Sequence, residues 1–261
     1  MNNIKNELDL VQEEIFKGFN DPFPDNSLSN FLISGSKFIR SKLVILYLKS
    51  QNIDIKKEIN KVLAAGEIIH NASLLHDDVI DNAETRRNSK TFAKKFNSKI
   101  SILAGDYLLA QAIEKILSLN NLEILEKFKN CTKRMTEAEI KQYFFRGLLP
   151  SNQEYIDICK GKTASLFSIM LEISSELSGL DAKVANFFGE IFGICFQIKN
   201  DLEINSAKID KNNQISTAED ILGIENTNNL LDNYKEEMRK LIKDFPENIY
   251  KRELEDLINL I

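Results

Sequence analysis

Residues 67 to 87, EIIHNASLLHDDVIDNAETRR, hold both histidines of the chain, three clustered aspartates and a paired arginine. Asp77, Asp78 and Asp81 form a DDxxD pattern, with Arg86 and Arg87 just beyond it. On a helix, His70, Leu74, Asp77, Asp78 and Asp81 fall within an arc of about 100°. Ile68, Ala72, Leu75 and Val79 fall on the other side, which predicts an apolar anchor face and a carboxylate face turned to a cavity. Carboxylates this close repel one another and resist ionising without a cation. Hard oxygen ligands suit Mg²⁺, which takes one or two carboxylates together with water and substrate phosphates. The neighbouring guanidinium forks match phosphate oxygens, so the implied chemistry is metal-assisted work on a diphosphate. A solvated charged helix face explains DDxxD alone equally well, but not DDxxD with RR and His70 at these spacings.

These groups must be held by helices. The chain of 261 residues has four prolines, and none lies between Pro24 and Pro150. Apolar positions recur at three and four residues, which predicts helices near 3–18, 37–51, 56–81, 98–119, 122–146, 151–178, 181–204, 227–243 and 247–260. Strand alternation and hairpin signals are absent. DPFPDNS at 21–27 is a loop ending in a helix cap, and the polar stretch 205–219 is the candidate mobile loop. No repeat or linker is visible, so residues 1–261 are expected to form one all-α domain around a central cavity. Tyr143, Phe144 and Phe145 are expected in the core rather than as an aromatic wall for a cation.

Composition excludes some functions. A net charge of −5, with no basic block outside local clusters, argues against nucleic acid as a partner. The N-terminal sequence MNNIKNELDLVQEEIF is acidic and amphipathic, unlike a secretory or transit peptide. No apolar run reaches the roughly 18 residues of a membrane span. Cys131, Cys159 and Cys195 are odd in number and widely spaced, as expected of reduced thiols in a cytoplasmic protein.

From about residue 30 to 204 the chain resembles the all-trans polyprenyl diphosphate synthases, in five blocks. SGSKFIRSKL at 34–43 is similar to the family's GGKRLRP segment, keeping Lys37 and Arg40. SLLHDDVIDNAETRR is close to its first aspartate-rich motif; LAGDYLLA at 103–110, GKTASLF at 161–167 and FQI at 196–198 follow in order. The resemblance implies an isoprenoid-synthase-type helical bundle and a homodimer. It also implies a Mg²⁺-dependent prenyltransferase that joins an allylic diphosphate to isopentenyl diphosphate. By it, Asp77, Asp78 and Asp81 carry Mg²⁺, and Lys37, Arg40, His70 and Arg87 hold isopentenyl diphosphate. Arg86, Lys162, Thr163 and Gln197 meet the allylic diphosphate, with Lys162 counted among the catalytic groups. On their own, Lys37 and Arg40 read as a solvated helix start rather than a site, while Lys162 and Thr163 read equally as an ordinary helix start and Gln197 equally as a core amide. His76 and Asp106 read as packing or supporting groups.

Two features depart from the pattern. The second aspartate-rich motif, expected after FQI as DDxxD, reads Asn200, Asp201, Leu202, Glu203, Ile204, so only Asp201 is retained as a metal ligand. The glycine- and lysine-containing segment expected after it is missing, and Lys199, Lys208 or Lys211 could replace its lysine. These departures leave open a prenyltransferase with another acceptor, or a weakly active or non-catalytic partner subunit. Ala72, five residues before Asp77, and Ser73 are small; by resemblance this depth sets product length, so products longer than C15 are expected.

Overall fold

The computed structural model describes residues 2–87, 89–203 and 213–261, and its elements are almost all helical. Residues pack into two compact units, Met1–Ile45 with Ile55–Leu125, and Leu46–Asp54 with Glu126–Ile261.

The first unit contains α1 (Lys5–Phe16), α2 (Ser27–Ile33), most of α3 (Ile39–Lys49), α4 (Lys57–Ile80), α5 (Phe92–Lys95) and α6 (Ser98–Leu117). α4 is its axis, with α1, α5 and α6 packed on it. Ile59, Val62, Leu63, Ile68, Ala72 and Leu75 are buried along α4, as the apolar periodicity requires. α6 approaches closely at Gly105, where a Cβ would lie 2.3 Å from His76 Nε2. His76 instead sits over this glycine, 3.3 Å from Asp106. This explains why a glycine is placed inside a helix at a cost of about 1 kcal/mol relative to alanine. Side-chain caps start both the short α5 and the long α6: the side chains of Thr91 and Asn97 accept from the backbone N–H groups of Lys94 and Ile100.

After α4 the chain forms a small antiparallel ribbon, β1 (Thr85–Arg86) and β2 (Ser89–Lys90), with Arg86 opposite Ser89. This overturns the expectation that hairpins are absent. Arg87 adopts φ 51°, so the bend is made without a glycine to announce it.

The second unit is built on α8 (Asn152–Cys159), α9 (Ser165–Ser178) and α10 (Ala182–Leu202), with α11 (Ala218–Leu222), α12 (Ile224–Ile242) and α13 (Ile249–Leu260). α8 and α9 are one continuous helical run joined by a π-helical segment, Lys160–Ala164. α7 (Leu122–Phe144) contributes Glu126 onward to this unit. Gly189 and Gly193 bring α10 against the backbone of the α9 region: a Cβ on Gly193 would lie 2.4 Å from Ala164 Cα. Phe167, Phe188 and Phe192 fill the adjoining core, each worth about 2–3 kcal/mol of apolar burial.

The short helices α2, α5 and α11 were not expected, and α11 begins inside the stretch read as a polar loop. Residues 205–212 of that loop, with Lys208 and Lys211, lie outside the described residues. Tyr143 and Phe144 correct the core expectation: they are 52% and 73% exposed.

Candidate active site

In the first unit the chemistry gathers on one side of α4. His70, Ser73, Asp77 and Asp81 are half-buried and recur at three and four residues, so they share a stripe. Asp78 departs from the expected common face. It lies at the edge of the arc and is fully buried, its Oδ1 accepting from Arg86 Nε at 2.7 Å. Its Oδ2 is buried and has no hydrogen-bond partner among the described residues. Burial pushes the Asp78 carboxyl above its usual range, with Arg86 pulling the other way.

Behind His70 lies a group the sequence reading missed. Glu67, one turn earlier on α4, is buried and accepts from Ser41 N–H at 3.1 Å and Ser41 Oγ at 2.7 Å. Burial raises its carboxyl, while the charges of Arg40 and Arg87 and the Ser41 bonds oppose the shift. Arg40 is buried at the start of α3, whereas Lys37 is exposed in the preceding loop. Arg87 Nη1 donates to the Ser34 carbonyl at 3.1 Å, and its stem fills the space a Cβ on Gly35 would need. That glycine, at φ 65°, lets the Lys37 loop lie against the arginine. Burial, reinforced by Arg40, Arg87 and Arg86, holds His70 well below its ordinary range. The imidazole is therefore neutral at pH 7 and offers one N–H. A signal for Glu67 was present: it is the one charge inside the apolar run VLAAGEII.

In the second unit the π-helical segment carries Lys162 and Thr163, so they stand inside a helical run and not at a helix start. Such single wide turns recur at functional sites. Gly161 sets the segment against α7, where a Cβ would meet Ala138 Cβ at 2.5 Å. Lys162 Nζ pairs with Glu139 at 2.5 Å and donates to Gln142 Oε1 at 2.7 Å. Thr163 Oγ1 donates to Gln197 Oε1 at 2.5 Å, and Gln197 Nε2 donates to Asp201 Oδ1 at 2.7 Å. Tyr155 Oη donates to Asp201 Oδ2 at 2.5 Å. Asp201 is buried, which pushes its carboxyl up to about 6. Asn200 is half-buried beside it, and Ile204 lies outside the described residues. Tyr155, Glu139 and Gln142 were not singled out from sequence; nothing in their local spacing distinguishes them.

The donor set suits a hard divalent cation. Asp77 and Asp81 offer half-buried carboxylate oxygens one turn apart, and Asp78 Oδ2 is an orphaned buried oxygen beside them. Among the described residues no three histidine, cysteine or acidic side chains form a ready-made cage. Mg²⁺ does not require one, because substrate phosphates and water complete its shell.

Residues 24–257 match the family model described as polyprenyl synthetase. A prenyl transferase of Porphyra purpurea is 36% identical over 177 residues, covering 65% of this chain and 54% of the relative. Component 2 of a heptaprenyl diphosphate synthase from Bacillus subtilis is 30% identical, covering 76% of this chain and 59% of the relative. The chain spans between about a third and two thirds of the length of the curated relatives it matches. A decaprenyl diphosphate synthase from Rhodobacter capsulatus superposes with a TM-score of 0.88 at 21% identity, covering 99% of this chain and 96% of the other.

Proposed function

Because the chain belongs to the polyprenyl synthetase family, we propose that it is a Mg²⁺-dependent trans-prenyltransferase. It condenses an allylic diphosphate with isopentenyl diphosphate to a polyprenyl diphosphate longer than C15. The observation that carries this reading is the stripe of α4: two accessible carboxylates, Asp77 and Asp81, in line with a neutral His70 and beside anchored Arg86 and Arg87.

Bound at Asp77 and Asp81, Mg²⁺ would supply positive charge against the oxygens of the leaving group. The protein's own groups do the rest. The allylic C–O bond breaks with its electron pair departing on the diphosphate, and preorganised cations stabilise that charge. Arg86, held through Nε by Asp78, keeps its two terminal nitrogens for phosphate oxygens. Lys37, Arg40, His70 and Arg87 are the set for isopentenyl diphosphate. Neutral His70 donates an N–H there without adding to the crowd of positive charge. In the second unit Lys162, Thr163 and Gln197 serve the allylic diphosphate. The Glu139 ion pair and the Gln142 hydrogen bond hold the Lys162 side chain in place before substrate arrives. The double bond of isopentenyl diphosphate then attacks the allylic carbon, a C–C bond forms, and transfer of a proton from the resulting cation to the released diphosphate restores a double bond.

A homodimer and a cytoplasmic location belong to this reading. The first is supported by Leu103, Ile113 and Leu117, exposed along α6. The second is supported by three buried cysteines outside any disulfide. No described helix is long and apolar enough to cross a membrane. A second reading, a partner subunit that binds without turnover, is favoured by Asn200 in place of an acidic ligand. Incubation with Mg²⁺, labelled isopentenyl diphosphate and C5, C10 or C15 primers separates the two. Elongation past C15 is expected, and absence of any condensation product with every primer would sink the enzyme reading.

A further inference from the structure

We propose that Tyr155 is a positioning residue for the allylic diphosphate. Through Asp201 it fixes the Gln197–Thr163 pair, so that Asp201 acts as a hydrogen-bond hub and not as a metal ligand. The proposal rests on the reading that Thr163 and Gln197 serve that diphosphate.

The heavy-atom geometry orders donors and acceptors from Tyr155 to Thr163. An ionised carboxylate only accepts, so Asp201 must face donors on both oxygens, and it does: Tyr155 Oη at 2.5 Å and Gln197 Nε2 at 2.7 Å. That fixes the Gln197 amide with its nitrogen toward Asp201 and its carbonyl toward Thr163, whose hydroxyl it accepts at 2.5 Å. An amide left to itself could turn over; this one is held by charge. One amide N–H of Gln197 remains for a phosphate oxygen, in a direction set by Asp201. Tyr155 and Asp201 are 5% and 7% exposed, so their bond is made where water competes poorly. Both oxygens of Asp201 are engaged by neutral donors of the same unit, which is an arrangement for orienting an amide and not for approaching an ion. The second motif has lost acidic residues on either side of Asp201, at Asn200 and Ile204. A hub needs neither.

Tyr155→Phe keeps the ring and removes the donor. Asp201→Asn keeps the shape but removes the charge and one acceptor, so a carboxylate no longer holds the Gln197 amide in a single orientation. Binding of farnesyl S-thiolodiphosphate, whose C–S bond does not ionise, is measured by calorimetry in the presence of Mg²⁺, beside steady-state kinetics and melting. In Tyr155→Phe the dissociation constant of the analogue and the KM of the allylic substrate should rise about tenfold. The KM of isopentenyl diphosphate and the half-saturating Mg²⁺ concentration should stay within about twofold of wild type. The double variant should bind no more weakly than Asp201→Asn alone, because both substitutions break one network. Unchanged analogue binding in folded Tyr155→Phe overturns the proposal, as does a several-fold rise in the Mg²⁺ requirement of Asp201→Asn. If Tyr155→Phe does not melt cooperatively, the Mg²⁺ and analogue titrations of Asp201→Asn decide alone. Wild-type protein that binds the analogue but makes no product defeats only the enzymatic reading. Wild-type protein that does not bind the analogue defeats this proposal.

Discussion

Arg86 Nε donates to Asp78 Oδ1 across 2.7 Å, and this one ion pair divides the aspartates of the first motif into two kinds. Asp77 and Asp81 keep a half-exposed stripe, while Asp78 is buried beneath an arginine it orients.

Variants at the three positions should therefore differ in kind. Asp77→Ala or Asp81→Ala should lower kcat about a thousandfold, roughly 4 kcal/mol of leaving-group stabilisation, with little change in melting. Asp78→Ala strands the Arg86 donor and should cost about 2 kcal/mol of stability, lowering the melting temperature by roughly 4–8 °C. Kinetics and calorimetry on the three proteins test this; equal thermal losses in all of them would refute the division.

The degraded second motif should show in the metal requirement. Asn200 is half-buried and neutral. Asn200→Asp returns an anionic oxygen and should reduce the Mg²⁺ concentration for half-maximal activity. A titration in which the variant needs as much Mg²⁺ as wild type, or more, would show that no ion is bound at this position.

Product length separates two adjacent residues. Ala72 is fully buried, whereas Ser73 is half-buried on the stripe of Asp77. Ser73→Phe should shorten the products. Ala72→Phe should overpack the core at a cost of about 1–3 kcal/mol, without a specific effect on length. Mass-spectrometric sizing decides; shortening by Ala72→Phe alone would return the floor of the tunnel to that position.

Acid stability should carry two opposed signatures. Asp201 titrates near 6 in the folded chain, against an ordinary 3.8. Between these values the folded state holds a proton the unfolded state has released, so this contribution falls as pH rises from 3.8 to about 6. His70 behaves oppositely: its folded value lies well below 6.5, so stability is lost as pH falls below 6.5. The melting temperature of Asp201→Asn relative to wild type should therefore climb between about pH 4 and 6 and level off above. His70→Gln should lack the loss on the acid side. Parallel profiles for wild type and either variant would count against the assigned shift.

The long helices were legible because their apolar residues repeat over several turns, as at Ile59, Val62, Leu63, Ile68, Ala72 and Leu75. α2, α5 and α11 span too few residues to show a period; Thr91 and Thr217 cap α5 and α11, and α2 begins without a side-chain cap. The ribbon was hidden because its strands are two residues each and its bend uses Arg87 where a glycine would have been the sign. Asp78 shows the limit for the site. At the edge of an arc, a residue's exposure depends on what packs beside it, and here that is Arg86, eight residues away.

Gly189 and Gly193 have a consequence for how the molecule breathes. Where α10 meets the α9 region backbone to backbone, no layer of side chains stands ready to shift rotamers and admit water. Opening there must expose Phe167 and Phe192 together, so amide protons along α9 and α10 should be among the last to exchange. Thr163, Gln197 and Asp201 ride on or beside that slow-opening segment. Arg86 rides on a ribbon of two residues per strand, whose amides should exchange orders of magnitude sooner. The two sets of groups thus answer to different clocks: one sits on a helix pair that opens rarely, and the other, though Asp78 orients it, sits on a ribbon that opens and recloses often.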